Sequence, residues 1–246
     1  MFWNKKSKLP ITVDDKNWVE ESFMFLQEIL GKEHFDGLRT ITPTKNFYNW
    51  TFKGNEEDAE FILERTKEIM MINDATFKLK YFSDQPIEMS DGTILSTPAD
   101  INGNWKSASG IYEELENENI IYIEKSQLKN TISLIATIAH ELSHYILLGE
   151  NRIEENDEFL TDLTAIAYGF GIFLGNSRFQ HSKFQNTNFS GWEMSSQGYL
   201  PEQIIGYAMA WLSYNKDENT EYKKFLNRDM EIFFNQSLKY LQSESK

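Results

Sequence analysis

Residues 131–162 read TISLIATIAHELSHYILLGENRIEENDEFLTD, and the fold that we expect for the chain follows from this stretch. At its centre is an H-E-x-x-H pattern made by His140, Glu141 and His144. Side chains four residues apart lie on one face of an α-helix, one turn from each other. Two imidazoles placed in this way can hold one zinc ion at roughly 2.0–2.1 Å, and the glutamate can take a proton from a water molecule at the metal.

The residues around the pattern predict a buried helix. Apolar side chains occupy most of 132–139 and 145–148, and Gly149 then supplies a helix stop. The alternative interpretation of the pattern is two helical histidines on a half-buried face that are satisfied by hydrogen bonds alone.

A third metal ligand is expected downstream. Glu158 and Asp162 are four residues apart and share a helix face, which continues with the small residues Ala165 and Gly169. A helix with such a face can approach the first helix closely, so that Glu158 completes the site and Asp162 orients a ligand histidine. These acids could instead form a solvated helix start. Other acids could also be the ligand, namely Glu150, Glu154 and Glu155.

The two patterns H-E-L-S-H and E-F-L-T-D resemble the gluzincin-type zincin metallopeptidases, typified by thermolysin. The resemblance implies that His140, His144 and Glu158 are the zinc ligands. It also implies that Glu141 is the general base and that Asp162 lies behind a ligand histidine. The interval between the two patterns is shorter here than in thermolysin.

The metzincin extension is absent, because it needs Gly at 147 and His at 150, where this chain has Leu147 and Glu150. A broader resemblance is to a group of uncharacterised bacterial proteins with the same H-E-x-x-H core, and it implies no substrate. The pieces that carry this resemblance are 18–23, 139–150, 161–163, 169–177 and 206–208.

Composition excludes several classes of protein. Acids outnumber bases 38 to 24 among 246 residues, so the net charge is −14 and binding to nucleic acid or to an anionic membrane is not expected. The absence of cysteine excludes disulfides and thiolate zinc ligands. No signal peptide is expected in residues 1–10, and the apolar runs are too short to span a bilayer. The expected location is cytoplasmic.

We expect an α+β fold, a mostly helical zincin-like domain over residues 1–246. Residues 1–177 would hold the first helices, a small antiparallel sheet and the two motif helices, and 178–246 a C-terminal helical bundle. The irregular stretch 178–200 is the best candidate for a boundary. The expected elements are helices at 14–30, 55–71, 201–214 and 219–242, and strands at 76–82, 110–115 and 120–124.

Three further features bear on function. The strand just before the motif helix could pair with an extended peptide, or it could be an ordinary sheet strand. The long loop 83–109 could be a lid over the site or a surface loop. A distal residue that stabilises the oxyanion is typical of the class. The candidates for this role are His181, Tyr207 and Tyr199.

The sequence therefore predicts a zinc-dependent metallopeptidase that holds one Zn²⁺ ion and acts on a peptide or protein. Two other interpretations stay open. One is a binding or regulatory module that keeps the fold without catalysis, and the other is a zinc hydrolase of a non-protein amide or a cell-wall peptide.

Overall fold

The computed structural model describes residues 8–83, 87–88, 94–95, 110–115, 118–182 and 200–244. These residues are mostly helical with a small sheet, which agrees with the expected α+β class. They fall into two compact units, one from Met1–Phe47 with Glu154–Lys246 and the other from Tyr48–Ile153. Most of the boundary segment expected from sequence, residues 183–199, lies outside the described residues.

The first unit begins with helix α1, Val13–Leu30. Thr12 caps the helix, and its side chain and that of Asp15 satisfy each other's backbone N–H groups in a capping box. The cap therefore lies two residues before the predicted start. Val19, Phe23 and Leu26 are fully buried, as their helical spacing predicts. A short helix, α2 (Lys32–Gly37), follows.

The second unit contains helix α3, Glu56–Ile69, which Asn55 caps. The carboxylate of Asp58 accepts hydrogen bonds from the indole N–H of Trp50 at 2.8 Å and from the backbone N–H groups of Lys53 and Gly54 at 2.6 Å each. Burial raises the pKa of Asp58, but these hydrogen bonds outweigh that effect and hold the pKa below its usual value. The segment before α3 is thus fixed by one buried acid.

The sheet of the second unit is mixed, which corrects the expectation of a small antiparallel sheet. Strands β1 (Phe77–Phe82), β4 (Gly110–Leu115) and β5 (Glu118–Glu124) lie in the order β1-β5-β4. β4 and β5 form the predicted antiparallel pair, whereas β1 pairs with β5 in parallel. Two short strands, β2 (Ile87–Glu88) and β3 (Ile94–Leu95), pair within the expected loop, and the rest of that loop lies outside the described residues.

Helix α4, Thr131–His144, carries the H-E-x-x-H pattern and packs against α3 and the sheet. Asn130 caps it, and Leu134, Ile138, Ala139 and Leu142 are at most 1% exposed. The helix continues as one π-helical turn, Tyr145–Gly149. Among the described residues, one stretch, Thr131–Gly149, is long and apolar enough by length and composition to cross a membrane. It is 78% buried inside the protein, and the core helix of a globular protein passes the same test.

The first unit resumes with helix α5, Glu158–Ala165, and a π-helical turn, Ile166–Phe170. Gly169 has a φ of +97°, which kinks the helix whose face was expected to continue from Glu158 through Ala165 to Gly169. Ile41 donates its N–H to the carbonyl of Gly169 at 2.9 Å, and a Cβ at Gly169 would lie 2.1 Å from the carbonyl oxygen of Arg39. The lack of a side chain at Gly169 therefore allows segment 39–41 to pack directly against its backbone.

The unit ends with three helices, and α7 and α8 form the predicted packed pair. A Cβ at Gly206 in α7 would meet Phe233 of α8 at 2.7 Å, so that these two helices approach closely. The helices are α6 (Gly171–Ser182), α7 (Glu202–Asn215) and α8 (Arg228–Glu244), with a 3₁₀ turn at Thr220–Phe225.

Candidate metal centre

The H-E-x-x-H residues occupy the last two turns of α4. His140 is 6% exposed, Glu141 3% and His144 7%. Buried polar groups of this kind need partners, because an unpaired one loses its hydrogen bonds to water without replacement. The three side chains therefore belong to a polar site inside an otherwise apolar helix.

The two histidines face each other through the same ring nitrogen. The Nε2 atoms of His140 and His144 are 3.1 Å apart, and the rings meet edge to face. Two nitrogens bound at 2.0–2.1 Å to a tetrahedral ion lie about 3.3–3.4 Å apart. The observed separation is therefore close to that of two ligands on one ion.

Glu158 completes a group of three donors. The ligand atoms of His140, His144 and Glu158 all lie within 4.8 Å of one another, and this group could hold a metal ion. The donor set of two imidazoles and one carboxylate is one that catalytic zinc sites use. The residues present thus fit the ion that the sequence predicts.

The acids that the sequence left as alternatives do not join this group among the described residues. The carboxylate of Glu150 accepts a hydrogen bond from Arg152 Nε at 2.9 Å. Glu154 and Glu155 are exposed, whereas Glu158 is half-buried as the first residue of α5. Asp157 caps this helix by accepting from the backbone N–H groups of Phe159 and Leu160 at 3.0 Å each.

Asp162 is fully buried one turn after Glu158. Its Oδ2 atom accepts a hydrogen bond from the backbone N–H of Leu200 at 2.9 Å. Leu200 stands immediately before Pro201, the N-cap of α7. The carboxylate therefore joins α5 to the entry of α7, a link that the sequence analysis did not predict. Its predicted contact with a ligand histidine stays a prediction.

The structure describes one of the three candidates for the oxyanion-stabilising residue. The side chain of His181 and the whole of Tyr199 lie outside the described residues. Tyr207 is fully buried, and its hydroxyl donates a hydrogen bond to Glu20 at 2.6 Å. Burial raises the pKa of this hydroxyl well above its usual range, and Glu20 raises it further. Tyr207 therefore stays protonated and already has an acceptor.

Two features near the ligands escaped the sequence analysis. Asn156 donates its side-chain N–H to Oε1 of Glu158 at 2.8 Å. A π-helical turn also follows directly after His144, and the helix that carries Glu158 is kinked at Gly169. Such turns are frequent at functional sites. Neither feature has a distinctive sequence signal, although Asn156 lies two residues before the ligand.

Comparison of the chain with models of protein families, with curated proteins and with solved structures gives no significant match. The geometry of the three donors, and the chemistry that their residue types allow, are therefore the basis for a function.

Proposed function

We propose that this protein is a zinc-dependent metallopeptidase of the gluzincin type. The observation that carries the proposal is the convergence of His140, His144 and Glu158 within 4.8 Å. Support also comes from Glu141, which follows His140 directly in the sequence and is buried on the same helix as the two histidines. The combination of a two-imidazole, one-carboxylate donor set with an adjacent carboxylate matches the requirements of metal-assisted hydrolysis.

In this proposal His140, His144 and Glu158 hold the ion. A zinc ion bound there would polarise the substrate carbonyl and make a coordinated water more acidic. Glu141 accepts the proton of the attacking water and then delivers it to the leaving nitrogen. Asp162 orients a ligand histidine while it also holds Leu200.

An oxyanion donor is also proposed, from His181, Tyr207 or Tyr199. For Tyr207 this role requires its hydroxyl to exchange the acceptor Glu20 for the substrate. We therefore expect substitution of Tyr207 by Phe to remove the hydrogen bond to Glu20, even if turnover is unchanged.

The proposed substrate is a peptide in extended conformation. The strand just before α4 is β5, which is paired on both sides, and this corrects the expectation that this strand could pair with a peptide. The role falls instead to β4, which is an edge strand of the sheet and packs against α4. An edge strand presents unpaired N–H and C=O groups to which an extended peptide can add as a further strand. We also propose that the protein acts in the cytoplasm on a peptide or protein, and that it binds neither nucleic acid nor a membrane.

The first test is elemental analysis of the purified protein and of two histidine variants. We expect about one zinc per chain in the parent, and a loss of most of it in H140A. H34A is the matched control, since it is the same change at a histidine that pairs with the Tyr168 hydroxyl at 3.3 Å. Equal zinc contents in the parent and in both variants would exclude the proposed ligands.

The second test separates catalysis from binding. E141Q should keep its zinc and lose peptide hydrolysis by roughly 10²–10⁴-fold, because the amide cannot accept the proton. E64Q is the control, since Glu64 is exposed at the surface and pairs with Lys67. A mixture of peptides incubated with each variant and analysed by mass spectrometry gives the rates. Zinc binding without cleavage by the parent would favour the non-catalytic module.

A further inference from the structure

Asn156 and Glu158 flank Asp157, whose backbone is extended, with φ −132° and ψ 101°. Side chains two residues apart in an extended segment point to the same side. This explains why the amide of Asn156 reaches the carboxylate of Glu158, with Nδ2 2.8 Å from Oε1. The contact therefore follows from the local backbone of the helix start.

That backbone is itself fixed. Asp157 accepts two backbone hydrogen bonds through its side chain, and its carbonyl accepts the hydroxyl of Thr161 at 2.8 Å. Thr161 is fully buried, so the helix start is tied to the core. The amide of Asn156 is thus held by a rigid cap in a place where it meets Glu158.

Glu158 is the ligand that most needs such support. The two histidines are at most 7% exposed in the last turns of α4, whereas Glu158 is half-buried at the first position of α5. A glutamate at such a position loses rotamer freedom when it binds a metal. A hydrogen bond that already fixes the carboxylate reduces this loss, which raises the affinity for the ion.

We propose that Asn156 is a positioning residue for Glu158, and that its amide holds Oε1 so that the carboxylate binds the metal through a single oxygen. This inference rests on the proposed metal centre. One-oxygen coordination leaves the ion with three protein ligands and an open position, as catalytic zinc sites require. Hydrogen-bonded partners of ligating carboxylates have this effect in metal sites.

The experiment compares full-length parent, N156A and N156L for zinc affinity, measured by competition with a chromophoric chelator. We expect N156A to bind zinc about 10–100-fold more weakly. N156L should bind as weakly as N156A, because it also lacks the donor N–H groups and adds no charge beside Glu158. Leucine keeps the branched shape of the asparagine side chain, so a packing change cannot explain its loss.

N215A is the matched control. Asn215 is also an exposed asparagine, and its side-chain amide donates to the carbonyl of Trp211 at 2.9 Å. N215A should bind zinc with the affinity of the parent. Equal losses in N156A and N215A would overturn the inference, as would an unchanged affinity in both N156A and N156L.

Cobalt substitution supplies a readout that a merely structural role would not move. Four-coordinate Co²⁺ absorbs visible light several times more strongly than five- or six-coordinate Co²⁺. We expect an intense spectrum for the parent and N215A. A weaker spectrum is expected for cobalt-saturated N156A, in which the released carboxylate can bind through both oxygens. Identical spectra for saturated parent and N156A would overturn the one-oxygen assignment.

The outcomes distinguish this inference from the proposed function. A parent protein that binds neither zinc nor cobalt overturns the metal centre, and the role of Asn156 falls with it. A parent that binds zinc with an affinity unaffected by N156A and N156L overturns the positioning role alone. Zinc binding that depends on Asn156 in a protein without peptidase activity supports the positioning role and removes only the proposed reaction.

Discussion

Single residues decide how the candidate site is assembled. His140 and His144 meet through Nε2 atoms 3.1 Å apart because four residues make about one helical turn. Glu158 needs more than spacing, since its carboxylate is brought to the histidines by tertiary structure and held by Asn156. The site thus combines one locally encoded pair with one ligand that has to be positioned.

Asp162 gives a prediction at this scale. D162A removes the acceptor of the Leu200 N–H in a fully buried place, so we expect a loss of about 1–3 kcal/mol in the free energy of unfolding. Urea unfolding measures it. D36A is the control, because Asp36 is exposed and pairs only at the surface with Gln27 and Lys32. A D162A protein as stable as D36A would show that the link contributes nothing.

Elements depart from their predicted course where another segment approaches. The helix that begins at Glu158 ends its α-helical course at Ala165, and Gly169 lets segment 39–41 come into backbone contact. From the sequence, the small size of Gly169 was expected to let its helix approach the H-E-x-x-H helix closely. In the structure this position instead accommodates the carbonyl of Arg39 and the side chain of Ile41.

Gly169 gives the prediction at the scale of elements. G169A places a methyl group 2.1 Å from the carbonyl oxygen of Arg39 at a φ of +97°, so we expect a loss of roughly 3 kcal/mol or more in unfolding free energy. G31A is the matched control, because Gly31 also has a positive φ, +86°, but its Cβ would meet nothing within 4 Å.

Gly31 has a ψ of 131° and Gly169 a ψ of 2°, so the backbone of G31A is strained at least as much as that of G169A. A larger loss of unfolding free energy in G169A, measured by urea unfolding, therefore reports the close approach. If both variants lose the same free energy of unfolding, segment 39–41 yields to the methyl group and the contact is not rigid. Retention of zinc by G169A would further show that the kink is not required for the metal centre.

At the scale of the whole molecule, buried tyrosines set the response to alkaline pH. Burial raises the pKa of Tyr222 to about 12, and burial also raises the pKa of Tyr48 and Tyr207 well above the usual range. A tyrosine in the unfolded chain ionises near pH 10. Between pH 10 and 12 the folded chain therefore binds more protons than the unfolded chain, and its stability falls as pH rises.

We expect the stability contributed by this effect to be fully present below pH 10. Between pH 10 and 12 the free energy of unfolding should fall less in Y222F than in the parent. The difference should be about 1–3 kcal/mol for a pKa raised to about 12. Urea midpoints at pH 8, 10 and 11.5 provide the measurement. The difference in stability between parent and Y222F at pH 8 gives the effect of the lost hydrogen bond between the Tyr222 hydroxyl and Ser213, and it is subtracted from the differences at higher pH. An equal fall in parent and Y222F would contradict the prediction.

Much of the fold could be predicted from periodicity. The helices with apolar stripes and the β4–β5 hairpin were predicted correctly, because each depends on neighbours along the chain. The parallel pairing of β1 with β5 was missed, because Phe77 lies opposite Asn119, more than forty residues away, and strand alternation carries no information about direction.

The position of His140, Glu141 and His144 on one buried helix could be predicted from the residues alone, since helical periodicity and apolar flanks are local properties. Only the tertiary structure selected Glu158 from the neighbouring acids, brought Asn156 to its carboxylate and placed Leu200 against Asp162. The physical reason is that these choices depend on where the chain turns and packs between elements. Turns and packing are set by the whole core, and the spacing of residues within one element does not specify them.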